Sequence, residues 1–182
     1  GAQGATGSVG AQGAAGTQAI LTEGRLTLQS GAPVTTADLA SNTYLYYTPY
    51  SGNRISFYNS GLGELEVVEF SETAISLSGL TVNTAYDIFA YNSGGGILFE
   101  LVPWTSPGVR GAAVVRTHGI LVKTGDATKR YVGSFATDPT GYVRDSANFR
   151  LVYNEYNRTE RILTASPSST INQSGKNFAP TN

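Results

Sequence analysis

Glycine recurs at every third position of the opening segment, at Gly1, Gly4, Gly7, Gly10, Gly13 and Gly16, giving six unbroken Gly-X-Y triplets before Ala19 breaks the phase. A strict three-residue glycine period is the requirement of the collagen triple helix, in which three polyproline-like chains wind so closely that only a hydrogen atom fits at the axis. The repeat therefore predicts a homotrimer with a collagen-like stalk, in preference to the alternative of a flexible Gly/Ala linker, which normally shows no phase. Its X and Y positions hold Ala, Gln, Thr, Ser and Val but no proline, so the segment lacks the residue that pre-sets the backbone and lowers the entropy lost on ordering. At ~3.1 Å per residue the triplets reach only about 55 Å. Such a short repeat predicts either further triplets upstream or a trimeric clamp downstream. The sequence also contains no methionine, and a translated product starts with one, so it reads as a processed product or, in preference, as the ordered part of something longer.

From residue 19 onward the pattern changes to short segments rich in Thr, Val, Ile, Leu and Tyr, interrupted every few residues by Gly, Asn, Ser or Pro. This is the pattern of many short strands. Leu26 and Leu28 alternate with Arg25, Thr27 and Gln29, predicting one face in a core and one toward water. Residues 44–50 and 54–58 flank Ser51-Gly52-Asn53 and read as a hairpin, since those turn residues tolerate positive φ. The adjacent Val67 and Val68 predict a bulge or a strand boundary. Residues 84–91 and 97–102 flank the glycine-rich tip Asn92-Ser93-Gly94-Gly95-Gly96, and Gly125-Asp126-Ala127-Thr128 reads as a turn between two further strands. For residues 149–156 helical and strand periods conflict, and the surrounding β-formers favour strand. The segment from Leu77 to Tyr86 resembles the tyrosine corner of fibronectin type III and related sandwiches, with Tyr86 as the corner residue.

The expected fold class is mainly β: a collagen-like triple-helical stalk followed by antiparallel β-sandwich-like domains, trimeric. The expected organisation is a stalk over residues 1–18, a β-sandwich-like domain over 19–103, a second β-rich region over 104–165 and a Ser/Asn-rich tail over 166–182. The boundary at 103 rests on the proline-bracketed Pro103-Trp104-Thr105-Ser106-Pro107-Gly108 and on a shift in charge. Residues 1–100 carry eight acidic and two basic side chains, and 101–182 carry five acidic and ten basic. Opposite halves of this kind predict pairing between subunits, or a contact with an anionic surface.

Composition narrows the chemistry. Cysteine is absent and His118 is the lone histidine, which excludes disulfide frameworks, Cys/His zinc clusters and cysteine nucleophiles. A net charge of -1 gives no global attraction to nucleic acid, and no apolar run approaches the ~18 residues of a membrane span. Glu64, Glu66, Glu69 and Glu72 are four carboxylates in nine residues, yet Glu64 and Glu66 share a strand face and read as a solvated surface rather than a catalytic pair. His118 has no Ser or Cys motif beside it, and Asp126 is explained by its turn. No enzyme activity, cofactor or metal site is expected. Binding has better material: Tyr44, Tyr46, Tyr47, Tyr50, Tyr58 and Trp104 are amphipathic rings able to stack on sugar faces, although strand and interface packing accounts for each ring taken singly. The loop tips at residues 93–96 and at Asp138-Pro139-Thr140-Gly141 are the other candidates.

Taken together, the Gly-X-Y triplets leading into Gly24-Arg25-Leu26-Thr27-Leu28, then Tyr44-Leu45-Tyr46-Tyr47-Thr48-Pro49-Tyr50, Gly52-Asn53-Arg54-Ile55, the stretch from Gly119 to Gly133, and Tyr153-Asn154-Glu155-Tyr156-Asn157-Arg158 resemble fibre and appendage proteins of tailed bacteriophages. The similarity spans most of residues 1–161 and stops before the tail. It implies a virion structural protein on an exposed appendage, a homotrimer whose stalk carries a β-rich domain and which contacts other virion proteins. Attachment to a bacterial surface glycan or receptor and decoration or connection of the head or tail are both compatible with it. It supplies no binding residues.

Overall fold

A computed structural model describes residues 19–146 and 149–160; the six stalk glycines and the Ser/Asn-rich tail lie outside the described residues. Within them the chain is mainly β, with thirteen strands and no helix. Strands β1 (Gly24–Thr27), β3 (Tyr44–Pro49) and β6 (Thr73–Ser76) form one sheet in the order β1-β3-β6. Strands β4 (Arg54–Asn59) and β5 (Glu64–Glu69) form a hairpin, and β2 (Leu39–Asn42) pairs with β12 (Val143–Asp145). A six-stranded antiparallel sheet runs β8 (Ile97–Pro103), β7 (Ala85–Asn92), β11 (Asp126–Ala136), β10 (Ile120–Lys123) and β9 (Val114–Thr117), with β13 (Val152–Asn154) also paired to β11.

Alternation of apolar residues explains how these sheets meet. Leu26, Leu45, Tyr47, Ile55 and Phe57 from β1, β3 and β4 pack in one buried cluster with Ile88, Ala90, Val132 and Phe135 from β7 and β11. The arrangement is sandwich-like, and the sheets stay open. Each of the larger aliphatic and phenylalanine side chains removed from water contributes about 1.5–3 kcal/mol. A smaller cluster, Leu65 with Ile120 and Val122, seats β5 on β10.

Several local expectations change. Residues 51–53 do not close a hairpin: β3 pairs with β1 and β6, and β4 pairs with β5. The turn is instead a corner between sheets, fixed by Tyr50 and Ser51 N–H donating to Glu23 O. No bulge falls at Val67 and Val68, which keep register opposite Ser56 and Ile55. A register shift does fall in β11, where Tyr131 faces Phe89 and Gly133 faces Ile88, so that Val132 is the extra residue. Thr27 is buried rather than solvated, because its hydroxyl donates to Ala32 O at 2.8 Å. The conflicting 149–156 segment contains the short strand β13.

The break at 103–108 does not separate two cores. Strand β11 lies between β7 and β10, so strands from both sides of the break share one sheet, and Val132, Phe135 and Val143 join the same buried cluster as Leu26 and Leu45. The acidic and basic halves also meet within the chain, through Asp87–Arg110 at 2.7 Å, Glu100–Lys123 at 2.6 Å and Glu100–Lys129 at 2.7 Å.

Candidate functional site

The chain enters the body along β4. Ser56 Oγ donates to Ala19 O at 2.7 Å and accepts from Leu21 N–H at 2.8 Å, and Thr22 bridges to Ile55. Arg130, wholly buried, donates to Leu21 O at 2.7 Å and Ser56 O at 2.6 Å and also reaches Thr22 Oγ1. Burial lowers the Arg130 pKa, and the nearby Tyr156 and Tyr47 oppose that fall. This one cation ties the entering segment, β4 and β11 together.

The loops 81–84, 104–108 and 137–142 gather at the far end of β7 and β11. From Arg130 to Ala136 the strand advances roughly 20 Å at ~3.3 Å per residue, so these loops stand well away from the chain entry. Their conformations are held by partly buried hydrogen bonds. Tyr86 Oη accepts from Thr81 N–H at 2.8 Å, the bond of a tyrosine corner, and its ring stacks on Phe135 at 5.2 Å. Thr137 Oγ1 donates to Thr81 O at 2.7 Å and accepts from Thr84 N–H at 3.0 Å. Asp138 accepts from Thr140 Oγ1, Thr140 N–H, Tyr142 N–H and Arg144 Nε at 2.6–3.0 Å. The Thr140 hydroxyl above all, helped by those backbone groups and Arg144, holds the Asp138 carboxyl down at about 2. The 138–141 tip is therefore a rigid element.

Two shallow clefts open between these loops. One, of about 500 Å³, is lined by Tyr44, Leu77, Val82, Thr140 and Tyr142 among others. The second, of about 510 Å³, is lined by Asn83, Thr84, Trp104, Pro107 and Thr137. The 82–84 loop divides them. Tyr44 is 48% exposed and stacks on Tyr46 at 6.5 Å with a 30° interplanar angle, leaving aromatic surface at the first cleft.

Below the second cleft lies a polar cluster that sequence reading did not pick out. Cross-strand register places Asp87 opposite Ser134 and Phe89 opposite Tyr131 on the outer face of β7 and β11. Asp87 Oδ1 accepts from Arg110 Nη1 and Ser134 Oγ, each at 2.7 Å. The Arg110 guanidinium lies 5.2 Å from the Trp104 ring centroid and 4.9 Å from that of Tyr131, so it is gripped between aromatic faces. Asp87 Oδ2 and Trp104 Nε1 are buried without a hydrogen-bond partner among the described residues. Arg110 and Tyr131, with Val109, Val114, Leu121 and Glu155, line a further open cleft of about 600 Å³. No local motif announces this cluster, because strand pairing brings Asp87, Ser134 and Tyr131 together and the segment between β8 and β9 folds Trp104 and Arg110 over them.

The remaining candidates disperse. Tyr47 is 1% exposed and packs on Phe70 and Phe99 at 5.0 and 5.5 Å; it is a core residue, and its burial removes it from any glycan contact. Tyr50 sits near the chain entry, 6.0 Å from the Arg25 guanidinium. Tyr58 stacks on His118 at 4.2 Å, which gives both rings a packing role. Glu66 accepts from Asn59 and Asn92 side chains at 2.8 and 2.7 Å, and Glu72 accepts from Ser30, Gly31 and Thr48. The turn expected over 125–128 is displaced to Thr124-Gly125, and Asp126 accepts from Thr128 at the start of β11. The 93–96 tip carries Gly94 and Gly96 at positive φ and lies open.

No protein-family model matches this sequence, and neither the curated proteins nor the solved structures compared with it give a match.

Proposed function

We propose that the protein is a homotrimeric structural fibre of a tailed-bacteriophage virion, an exposed appendage whose β body binds a glycan of the bacterial surface at the loop end. The fibre part of this reading rests on the Gly-X-Y phase and on the resemblance of the quoted segments. The binding part is carried by one observation: exposed Tyr44 and the half-buried Trp104 border adjacent shallow clefts at the end of the body remote from the chain entry. Clefts of that kind suit sugar rings, which need a flat aromatic face and hydroxyl partners rather than a deep apolar cavity. Three copies on one axis turn a weak site into useful avidity, by roughly 10²–10⁴ on a repetitive surface. The reading requires no reaction and no cofactor.

A second reading, a head or tail decoration or connector protein without receptor, draws on Val82 at the Tyr44 cleft and Val109 at the Arg110–Tyr131 cleft, 46% and 53% exposed, which suit a protein partner. Glycan-array binding of the full chain, with Tyr44→Ala in parallel, separates the two. Binding to a bacterial glycan that weakens at least tenfold in Tyr44→Ala supports the receptor reading. A blank array, with density at the loop end docked on another virion protein in images of the particle, replaces it by the connector.

A further inference from the structure

We propose that Ile20 and the His118–Gly119 turn of each copy form the surface on which the three chains meet directly beneath the Gly-X-Y segment. This rests on the trimer reading above and names the part of the β body that completes it. The partner is a second and third copy of this chain.

Chain reach supplies the first step. The last triplet ends at Gln18, and Ile20 lies two residues on, so its Cα is within about 7 Å of that of Gln18. In a triple helix the three backbones touch at the axis. The three Ile20 residues are thereby delivered to a common axis, whatever the orientation of the bodies further out.

The body fixes what surrounds Ile20 there. The segment cannot swing freely, because Ser56 and Arg130 hold the carbonyls of Ala19 and Leu21. Ile20 lies over Gly119, where an added Cβ would stand 2.5 Å from Ile20 Cδ1. His118 and Gly119 have φ of 49° and 80° and join Thr117 to Ile120 in a tight two-residue turn. The His118 ring is braced on Tyr58, and Arg116 Nη1 donates to Gly119 O at 2.8 Å. The result is a rigid platform with an apolar side chain on top, and Ile20 is still 52% exposed in the single copy. An isoleucine seated on a braced turn at the point of chain convergence is the contact that a second copy would cover.

The chain contains no cysteine, so Ile20→Cys gives one thiol per copy on an exposed position. The full chain carrying this change is weighed by native mass spectrometry, treated with a short bismaleimide and run on a denaturing gel. Leu98→Cys is the control, being 47% exposed on β8, the opposite edge of the six-stranded sheet from β9. The expected result is a trimer mass, with linked dimers from Ile20→Cys and only monomers from Leu98→Cys. A trimer that yields no Ile20 link, or that links equally through Leu98, overturns this surface and leaves the trimer intact. A monomer mass overturns both the surface and the reading it rests on.

Discussion

Asp138 illustrates how much a single side chain can organise at the loop end. One carboxylate accepts from two backbone N–H groups, a hydroxyl and a guanidinium, and its pKa falls to about 2 from an unfolded value of about 3.9. A depressed folded pKa means stability that is fully present above the unfolded value and is lost as pH falls through the folded one. Thermal melts are therefore expected to show a loss for the wild type between about pH 4 and pH 2, smaller in Asp138→Asn, which starts without that charge while Glu72, Glu100 and Asp126, also held below their ordinary values, still titrate. Gly133 makes the opposite point, that a residue can matter by having no side chain. A Cβ there would stand 2.2 Å from Tyr153 O on the paired strand β13 and 2.7 Å from Leu26. Backbone cannot yield as a flexible side chain can, so Gly133→Ala is expected to cost about 1–3 kcal/mol in urea unfolding.

At the scale of elements, the tyrosine corner and the Arg130 tie attach irregular segments to the sheets by different means. Tyr86→Phe removes the acceptor for Thr81 N–H while keeping the ring on Phe135. It is expected to cost about 1 kcal/mol and to speed hydrogen exchange at the Thr81 amide. Arg130→Met keeps much of the volume but removes the guanidinium that bonds the carbonyls of Leu21 and Ser56, leaving Leu21 O only the Ser56 N–H at 3.0 Å. A loss on the order of 3 kcal/mol is expected in equilibrium unfolding, with protease sensitivity appearing around residues 19–22. Sequence legibility differs between the two cases. The corner joins residues five positions apart, so its spacing is visible in the chain, whereas Arg130 bonds residues 74 and more than 100 positions away. The supposed hairpin at 51–53 belongs with the illegible cases. Turn-forming residues state that the chain reverses or bends, and nothing local states whether the strands on either side will pair.

For the whole molecule, one continuous core spans the proline-bracketed break, so the described body is expected to unfold as a unit. Leu45→Ala, at a fully buried position of that core, should cost about 2–5 kcal/mol and shift fluorescence from Trp104 and circular dichroism together. Two separable transitions would show that residues 19–103 and the remainder hold independent cores. If three copies share the stalk axis, the melting temperature should also rise with protein concentration, since association stabilises the folded state by mass action. A concentration-independent melt of the full chain would count against the trimer.

The strand character of the body was decided by the sequence itself: alternating apolar and polar residues, β-branched and aromatic enrichment, and glycine or asparagine at the turns act over a few residues and need no distant partner. The Gly-X-Y phase is equally local, and the expectation of three chains is read from its spacing alone. Tertiary structure decided which strands became neighbours, and with that the functional geography. Placing β11 between β7 and β10 merged two expected units into one core and assembled Asp87, Arg110, Trp104 and Tyr131 from separate segments. Packing of β3 against Phe70 and Phe99 put Tyr47 inward while Tyr44 remained at the loop end. Those outcomes depend on contacts between residues far apart in the chain, whose free energy exists only once the sheets have packed.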